Sequence, residues 1–380
     1  MVQKMTRINN VKKNLVVFSV FATSLLCFVF PCTGYSYPEN VRYGYASCAS
    51  CHVSPSGGGV LTKYGREASE EFMGTSVAEG ENAFLHGKVP VPEWIAVGGD
   101  LRGVILQRDT NAFKERWAFP MQADAEVALK IRPWLTGVAS GGVYNGNFDS
   151  LRHYLLVNAD ENLHIRGGRF FPAFGILTPD HVNPVRRGLG FEPGRESNNF
   201  EVGYTAESGE ILVNAILSSG QDTLADNEKG YSIRAAWFAG GRSQIGLSAM
   251  SVNGSIWSRD LFGFFAVTGI TKSVYVLAEA DVETKSPVDK SDASTVHNRR
   301  VVTSNKLGWE LMNGLHLFAS WDASVTTQGN RDPRQWTAGP GVQWFPRPHF
   351  ELSSQILRKY DATWSSRTGY LVNLMGHYYL

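Results

Sequence analysis

The residues best placed to do chemistry are Cys48-Ala49-Ser50-Cys51-His52. Two thiols separated by two residues, with an imidazole directly after the second, have the spacing of a c-type haem attachment site. The thiols add to the two vinyl groups of one porphyrin, and the following imidazole becomes the proximal ligand of the iron. On this reading Cys48 and Cys51 form the thioether bonds of one covalent haem c, and His52 binds its iron. A redox-active dithiol and a lone disulfide are the alternatives for the same pair. A thioredoxin-like site needs a βαβ context, which the flanking sequence lacks. For the sixth iron position the chain offers Met73, at the end of a helical stretch, and His86, in Phe84-Leu85-His86-Gly87. The bland readings are a core methionine on an amphipathic helix and a solvated linker histidine. A residue of the following domain, or an open position, completes the choice.

The elements that must position this motif are few. Pro55-Ser56-Gly57-Gly58-Gly59 reads as a turn that lets backbone pass close to the porphyrin, and residues 61–73 read as one helix with Tyr64, Ala68 and Phe72 on one face. About 55 residues separate Tyr37 from Val91, too few to wall off a porphyrin without help. The helical segment 35–92 must therefore take its walls from the rest of the chain, with Tyr64 and Phe72 expected near the haem.

Upstream, Lys4, Arg7, Lys12 and Lys13 precede the uncharged, largely apolar run from Leu15 to Phe30, and small residues at Cys32 and Gly34 offer a cleavage site. This order reads as a secretory signal peptide over 1–34, with a membrane-anchoring helix as the alternative. Cleavage removes Cys27 and Cys32, so both cysteines left in the mature chain lie in the one motif. Neither removed cysteine has the small preceding residue of a lipoprotein site.

With 36 basic and 35 acidic residues the net charge is +1, which argues against a nucleic-acid partner. At 43% hydrophobic and 12% aromatic, the chain is too apolar for a disordered protein. After Pro92 the pattern changes to period-two alternation. Val274, Val276, Ala278, Ala280 and Val282 oppose Glu279, Asp281 and Glu283. Leu315, Leu317, Ala319, Trp321 and Ala323 oppose His316, Ser320 and Asp322, and the stretch 121–130 repeats the design. A soluble sandwich explains any one such strand, and the connections decide against it.

Sixteen candidate strands run from 94–107 to 368–380. Tight turns at Ile131-Arg132, Ser208-Gly209, Gly240-Gly241, Asn313-Gly314 and Arg347-Pro348 alternate with longer connections at 173–198, 219–230, 285–298, 327–334 and 359–367. Short turns at one end and long loops at the other, with an even strand count, predict a transmembrane antiparallel β-barrel over 93–380. Trp117, Trp134, Trp257, Trp336, Trp344 and Tyr378 fall near strand ends, where interfacial girdles belong. The inward row is expected to include Asp124, Glu126, Lys130, Glu279, Asp281, Lys306, Glu310 and Glu351. The longest connection, from Pro172 to Asn199, carries Asp180, His181, Arg186 and Arg187. It either folds into the lumen or projects outward, and Asp180 with His181 could meet ferrous iron there.

One haem c motif at a mature N-terminus, followed by a porin-sized barrel, resembles the fused monohaem cytochrome–porins of the bacterial outer membrane. The specific part of the resemblance is Cys48-Ala49-Ser50-Cys51-His52; the barrel part is generic, and it ends in Leu380 where such barrels usually end in Phe. The resemblance implies the outer membrane of a Gram-negative bacterium and electron transfer through one haem c rather than conventional catalysis. It implies a periplasmic electron carrier and extracellular ferrous or ferric iron as partners, with outer-membrane lipid around the barrel. Two other functions fit the same residues: a solute porin whose haem segment is a plug or cap, and a haem peroxidase or gas sensor with an open iron position.

Overall fold

The computed structural model describes residues 37–78, 80–81, 90–110, 113–144, 147–178, 183–192, 194–218, 227–288, 298–328, 334–363 and 368–379. The expected signal peptide over 1–34, His86, Asp180, His181 and Leu380 lie outside the described residues.

Sixteen strands form one closed antiparallel sheet in which each pairs with its sequence neighbours. They are β1 (Ile95–Thr110), β2 (Lys114–Arg132), β3 (Leu135–Tyr144), β4 (Asn147–Asn158), β5 (Leu163–Phe170) and β6 (Ser197–Ala206). There follow β7 (Gly209–Ser218), β8 (Lys229–Ala239), β9 (Ser243–Asn253), β10 (Trp257–Gly269) and β11 (Val274–Pro287). The last are β12 (Asn298–Met312), β13 (Leu315–Gln328), β14 (Arg334–Arg347), β15 (Phe350–Asp361) and β16 (Thr368–Tyr379). Pairing of β1 with β16, from Asp100↔Tyr379 to Thr110↔Gly369, closes the barrel and leaves no free sheet edge.

The strands follow from the alternation, but its sense is inverted relative to a soluble sheet. In β11 Tyr275, Leu277, Glu279, Asp281 and Glu283 are buried, whereas Val274, Val276, Ala278, Ala280 and Val282 are more accessible. Large apolar side chains on the outside include Leu247, Phe262, Phe264, Ile233 and Leu374. Polar-in and apolar-out is the pattern of a barrel whose solvent is lipid. Of the expected inward row, Glu126, Glu279, Asp281, Glu310 and Glu351 are buried, Asp124 and Lys306 are half-buried, and Lys130, of the same strand parity as Glu126 and Ala128, is exposed near the end of β2. A register shift between Lys130 and Arg132 accompanies the exposure of Lys130.

One end of the barrel carries short turns throughout, among them 207–208, 240–242, 313–314 and 348–349. The β2–β3 turn is at 133–134 rather than Ile131-Arg132, because Arg132 still pairs with Leu135. The other end carries the five longer connections, but its remaining three, at 111–113, 145–146 and 254–256, are three residues or fewer.

The lumen is filled from within. Residues 37–81 lie at the short-turn end, with two 3-10 turns (Pro38–Tyr43 and Cys48–Ser50) and one helix, α1 (Lys63–Met73). Thr62 starts α1 by accepting the Gly65 amide at 3.0 Å on its hydroxyl. Beyond it, Thr75 N donates to Phe345 O at 2.9 Å and Asn313 Nδ2 donates to Gly74 O at 3.0 Å, tying the segment to two barrel turns. Of the connection between β5 and β6, residues 171–178, 183–192 and 194–196 also turn inward and carry a short helix, α2 (Pro184–Gly188). The apolar cores form where these fillers meet the wall. Val41 packs with Ala236, Phe265 and Val267. Val60 packs with Ala128, Val138 and Leu156. Phe174, Val185, Leu189 and Phe191 pack with Ile216, Met250 and Val302. Each fully buried Val, Leu or Phe contributes roughly 1.5–3 kcal/mol, so a few such anchors suffice to seat a short segment.

Candidate functional site

Cys48, Cys51 and His52 sit in a single helical turn. Cys51 N and His52 N both donate to Cys48 O, at 3.1 and 2.9 Å, and the Ser47 hydroxyl accepts the Ala49 amide at 3.3 Å. Residues three and four apart share a helical face, so the turn brings both thiols and the imidazole to one side. The two cysteines are not joined in a disulfide, Cys48 being half-buried and Cys51 buried, and His52 is buried as well. Burial pushes the Cys48 thiol up to about 12, with the Glu210 carboxylate adding to the rise. At neutral pH it is a thiol and a poor nucleophile.

The glycine run that follows has a geometric role. Gly57, Gly58 and Gly59 take φ values of +74°, +71° and +66°, a left-handed stretch that disfavours any side chain. A Cβ on Gly57 would lie 3.1 Å from Cys48 Sγ, and one on Gly59 would overlap Glu126 Oε1. The run thus lets backbone pass between the cysteine turn and the barrel wall.

The wall answers with charge. Glu126 Oε1 accepts the Val60 amide at 3.0 Å, and its other oxygen pairs with Arg152 at 3.0 Å. Arg166 donates to Ser54 Oγ and Ser56 Oγ, both at 3.0 Å, and pairs with Glu201 at 2.8 Å. Gln244 Nε2 donates to Ala46 O at 2.9 Å. On the far side Arg42 pairs with Glu310 at 3.0 Å, Lys306 with Glu39 at 3.1 Å, and Tyr37 donates to Glu351 at 2.5 Å. Glu351 belongs to a buried chain in which His377 bridges it, at 2.9 Å, to Asp100, at 2.6 Å. Arg152, Arg166, Glu201 and His377 were not singled out from the sequence. Their inward parity on strands already paired by alternation is the signal that would have found them.

These elements bound a cavity that is open to solvent on one side. Cys48, Tyr37, Tyr45, Gly57 and Gly58 line it from the N-terminal segment, and Arg102, Arg152, Arg166 and Phe170 from the wall. Phe171, Arg186, Phe191 and Glu196 line it from the inward connection. Cys51 and His52 lie outside this lining. Met73 is buried with Tyr37, Phe345 and Tyr379, and its sulfur accepts Asn40 Nδ2 at 3.8 Å. That cluster contains none of Cys48, Cys51 and His52. Tyr64 is 51% exposed and hydrogen-bonded to Tyr45 at 2.7 Å, on the outer side of the segment rather than in its core. Arg186 reaches into the lumen to donate to Phe174 O at 3.2 Å, whereas Arg187 is largely exposed.

The donor types are those of a covalently attached haem, two thiols and an imidazole in one turn followed by glycines, but of the three only Cys48 opens into the cavity. Among the described residues, no group of three or more His, Cys, Asp and Glu is arranged to hold a bare metal ion.

The closed sixteen-stranded sheet with polar residues inside is a porin-type barrel. OmpT, an outer membrane protein of Vibrio cholerae, has a similar structure, with TM-score 0.60 and 10% identity over 77% of this chain and 100% of that one. The outer membrane channel DcaP of Acinetobacter baumannii matches with TM-score 0.55 and 11% identity, over 75% and 97% of the two chains. An anion-selective porin from Comamonas acidovorans matches with TM-score 0.54 and 9% identity, over 75% and 99%. At these identities the likeness is one of fold. No protein-family model matches the chain, and no curated protein matches it.

Proposed function

We propose that this is an outer-membrane protein of a Gram-negative bacterium, a porin-type barrel whose lumen is closed at the short-turn, periplasmic end by its own N-terminal segment. The observation that carries the reading is the ring of contacts from residues 37–81 to inward-facing residues of many strands: Glu126, Arg166, Gln244, Lys306, Glu310 and Glu351. Breaking one partner from a buried ion pair costs roughly 3–5 kcal/mol, so such a segment stays seated. In this reading Cys48, Cys51 and His52 hold one haem c within the plug, and the barrel is a capped channel. Deleting residues 37–92 should raise conductance in planar bilayers several-fold. Unchanged conductance on deletion would sink the plug.

A second reading is electron transfer, favoured by the position of Cys48 on a cavity inside a membrane-type barrel. A haem c held by Cys48, Cys51 and His52 supplies one-electron exchange. Electrons do not cross a hydrocarbon layer of ~30 Å unaided, and a barrel that carries a cofactor into its lumen shortens the gap. The partners are then a periplasmic electron carrier at the short-turn end and extracellular ferrous or ferric iron at the other. The distal position is proposed for Met73 or His86, with a barrel residue or an open site as the other choices. The test is the spectrum of the detergent-purified protein before and after adding ferrous iron and a periplasmic cytochrome: reduction and re-oxidation support transfer, and an inert spectrum leaves the capped channel.

A further inference from the structure

The turn between β14 and β15 grips the N-terminal segment and buries one histidine in doing so. After α1, residues 74–78 and 80–81 run along this turn as a strap. Thr75 N and Ser76 N donate to Phe345 O and Pro346 O, at 2.9 and 3.2 Å, and Trp344 Nε1 donates to Thr75 Oγ1 at 3.0 Å. Arg347 Nε and Nη2 both donate to Glu81 Oε1, at 2.8 and 2.5 Å. A Cβ on Gly74 would lie 2.7 Å from Pro348 Cδ, so strap and turn are in direct contact. The next residue, His349, is 0% exposed, and neither of its ring nitrogens makes a hydrogen bond of good geometry. Its φ of +71° is the one positive value at a non-glycine position among the described residues, a backbone conformation that carries strain. Tyr379 holds it there: Tyr379 N donates to His349 O at 3.0 Å, and the two rings meet edge to face with centroids 5.8 Å apart.

The charged and titratable groups around the ring are Arg66 on α1, Glu81 on the strap with its partner Arg347, and Tyr379 on β16. Tyr379 in turn meets His377, which is paired with Glu351 and Asp100. The Glu81 carboxylate is already engaged, by Arg347 on one oxygen and by Ala78 N at 2.7 Å on the other. An imidazolium in this pocket would therefore be a buried charge beside a cation, which is unfavourable. Resting on the capped-channel reading above, we propose that His349 is an acid-operated release for the N-terminal segment: its protonation expels the ring from the pocket, and the strap loses its grip on the turn. Burial first, then Arg66, push the seated histidine down to about 3, against the upward pull of the Glu81 backbone. A released ring regains the ordinary value of ~6.5. Seating is thus fully favoured above ~6.5 and weakens as pH falls from there toward 3. Release takes up one proton, so the seated-to-released ratio falls by up to about tenfold per pH unit in that window.

The test is the conductance of the full-length protein in planar bilayers from about pH 7.5 to about pH 4, beside the form lacking residues 37–92. The unaltered protein should open progressively below about pH 6.5, by up to about tenfold in open fraction per pH unit, while the truncated form conducts throughout. His349→Asn keeps a residue type that tolerates the left-handed backbone and cannot take the charge, so its conductance should stay flat with pH. Where His349→Asn does not fold or is already open at neutral pH, Arg66→Gln decides. It removes the cation that opposes the imidazolium and should make the acid rise smaller; an undiminished rise overturns the proposal. A closed His349→Asn protein that opens in acid as the unaltered one does also overturns it, as does an unaltered protein that stays closed at about pH 4 while the truncated form conducts. A truncated form no more conductive than the full chain overturns the capped channel and this proposal together.

Discussion

At Cys48 the chemistry and the packing pull in opposite directions. Thioether formation runs through a thiolate, yet here burial and the Glu210 carboxylate hold the thiol up at about 12. On the proposed haem reading, attachment therefore precedes seating of the segment in the barrel. Protein made without haem maturation should resist thiol alkylation at the buried Cys51 while folded and react there once denatured. Rapid labelling of the folded form would show the segment unseated. A second residue-scale expectation concerns Glu196, whose carboxyl burial raises from 4.5 to about 7, against the lowering pull of its backbone hydrogen bonds, Arg152 and Arg169. A raised acid binds its proton more tightly folded than unfolded, so its contribution is complete below about 4.5 and is lost as pH rises through 7. The stability difference between the unaltered protein and Glu196→Gln should shrink in favour of the variant over that window. A difference independent of pH would contradict it.

The strands are specified by what they face. Phe264 on β10 is flanked across the sheet by Leu247 and Ala280 and is 48% exposed, an apolar patch that only lipid tolerates. Phe264→Arg should cost about 2–4 kcal/mol in vesicles, the depth-dependent penalty of a lipid-facing charge. No loss would mean that this face meets water. The 171–196 connection shows the same logic inverted. Its Phe174 and Phe191 rings stack at 5.2 Å, and Arg259 and Arg300 of the wall hold the carbonyls of Leu189 and Gly188. Its apolar residues could not remain in solvent, so the connection folds inward.

At the scale of the whole molecule the barrel and its fillers are one folding unit. A porin lumen is ordinarily wet. Here the apolar clusters lie inside the lumen, each formed by a filler and the strands around it. The protein should therefore need detergent for extraction and migrate faster on gels before heating than after. Removal of residues 37–92 should lower its unfolding midpoint while leaving a barrel. Recovery as a soluble monomer without detergent would refute the membrane assignment.

Alternation, turn residues and strand length were enough to count the sixteen strands, because period-two patterning against lipid is a local property of each strand. The spacing of Cys48, Cys51 and His52 is also read along the chain alone, since the covalent attachment proposed for it is a demand on sequence neighbours. What the tertiary structure alone decided is which residues meet across the lumen. The exposure of Tyr64, the packing of Met73 against Tyr37 and Phe345, and the arrival of Arg152 and Arg166 beside Ser54–Gly59 depend on register, closure and the seating of one segment inside another. None of these is encoded by spacing along the chain, because seating brings the N-terminal segment against strands more than a hundred residues away.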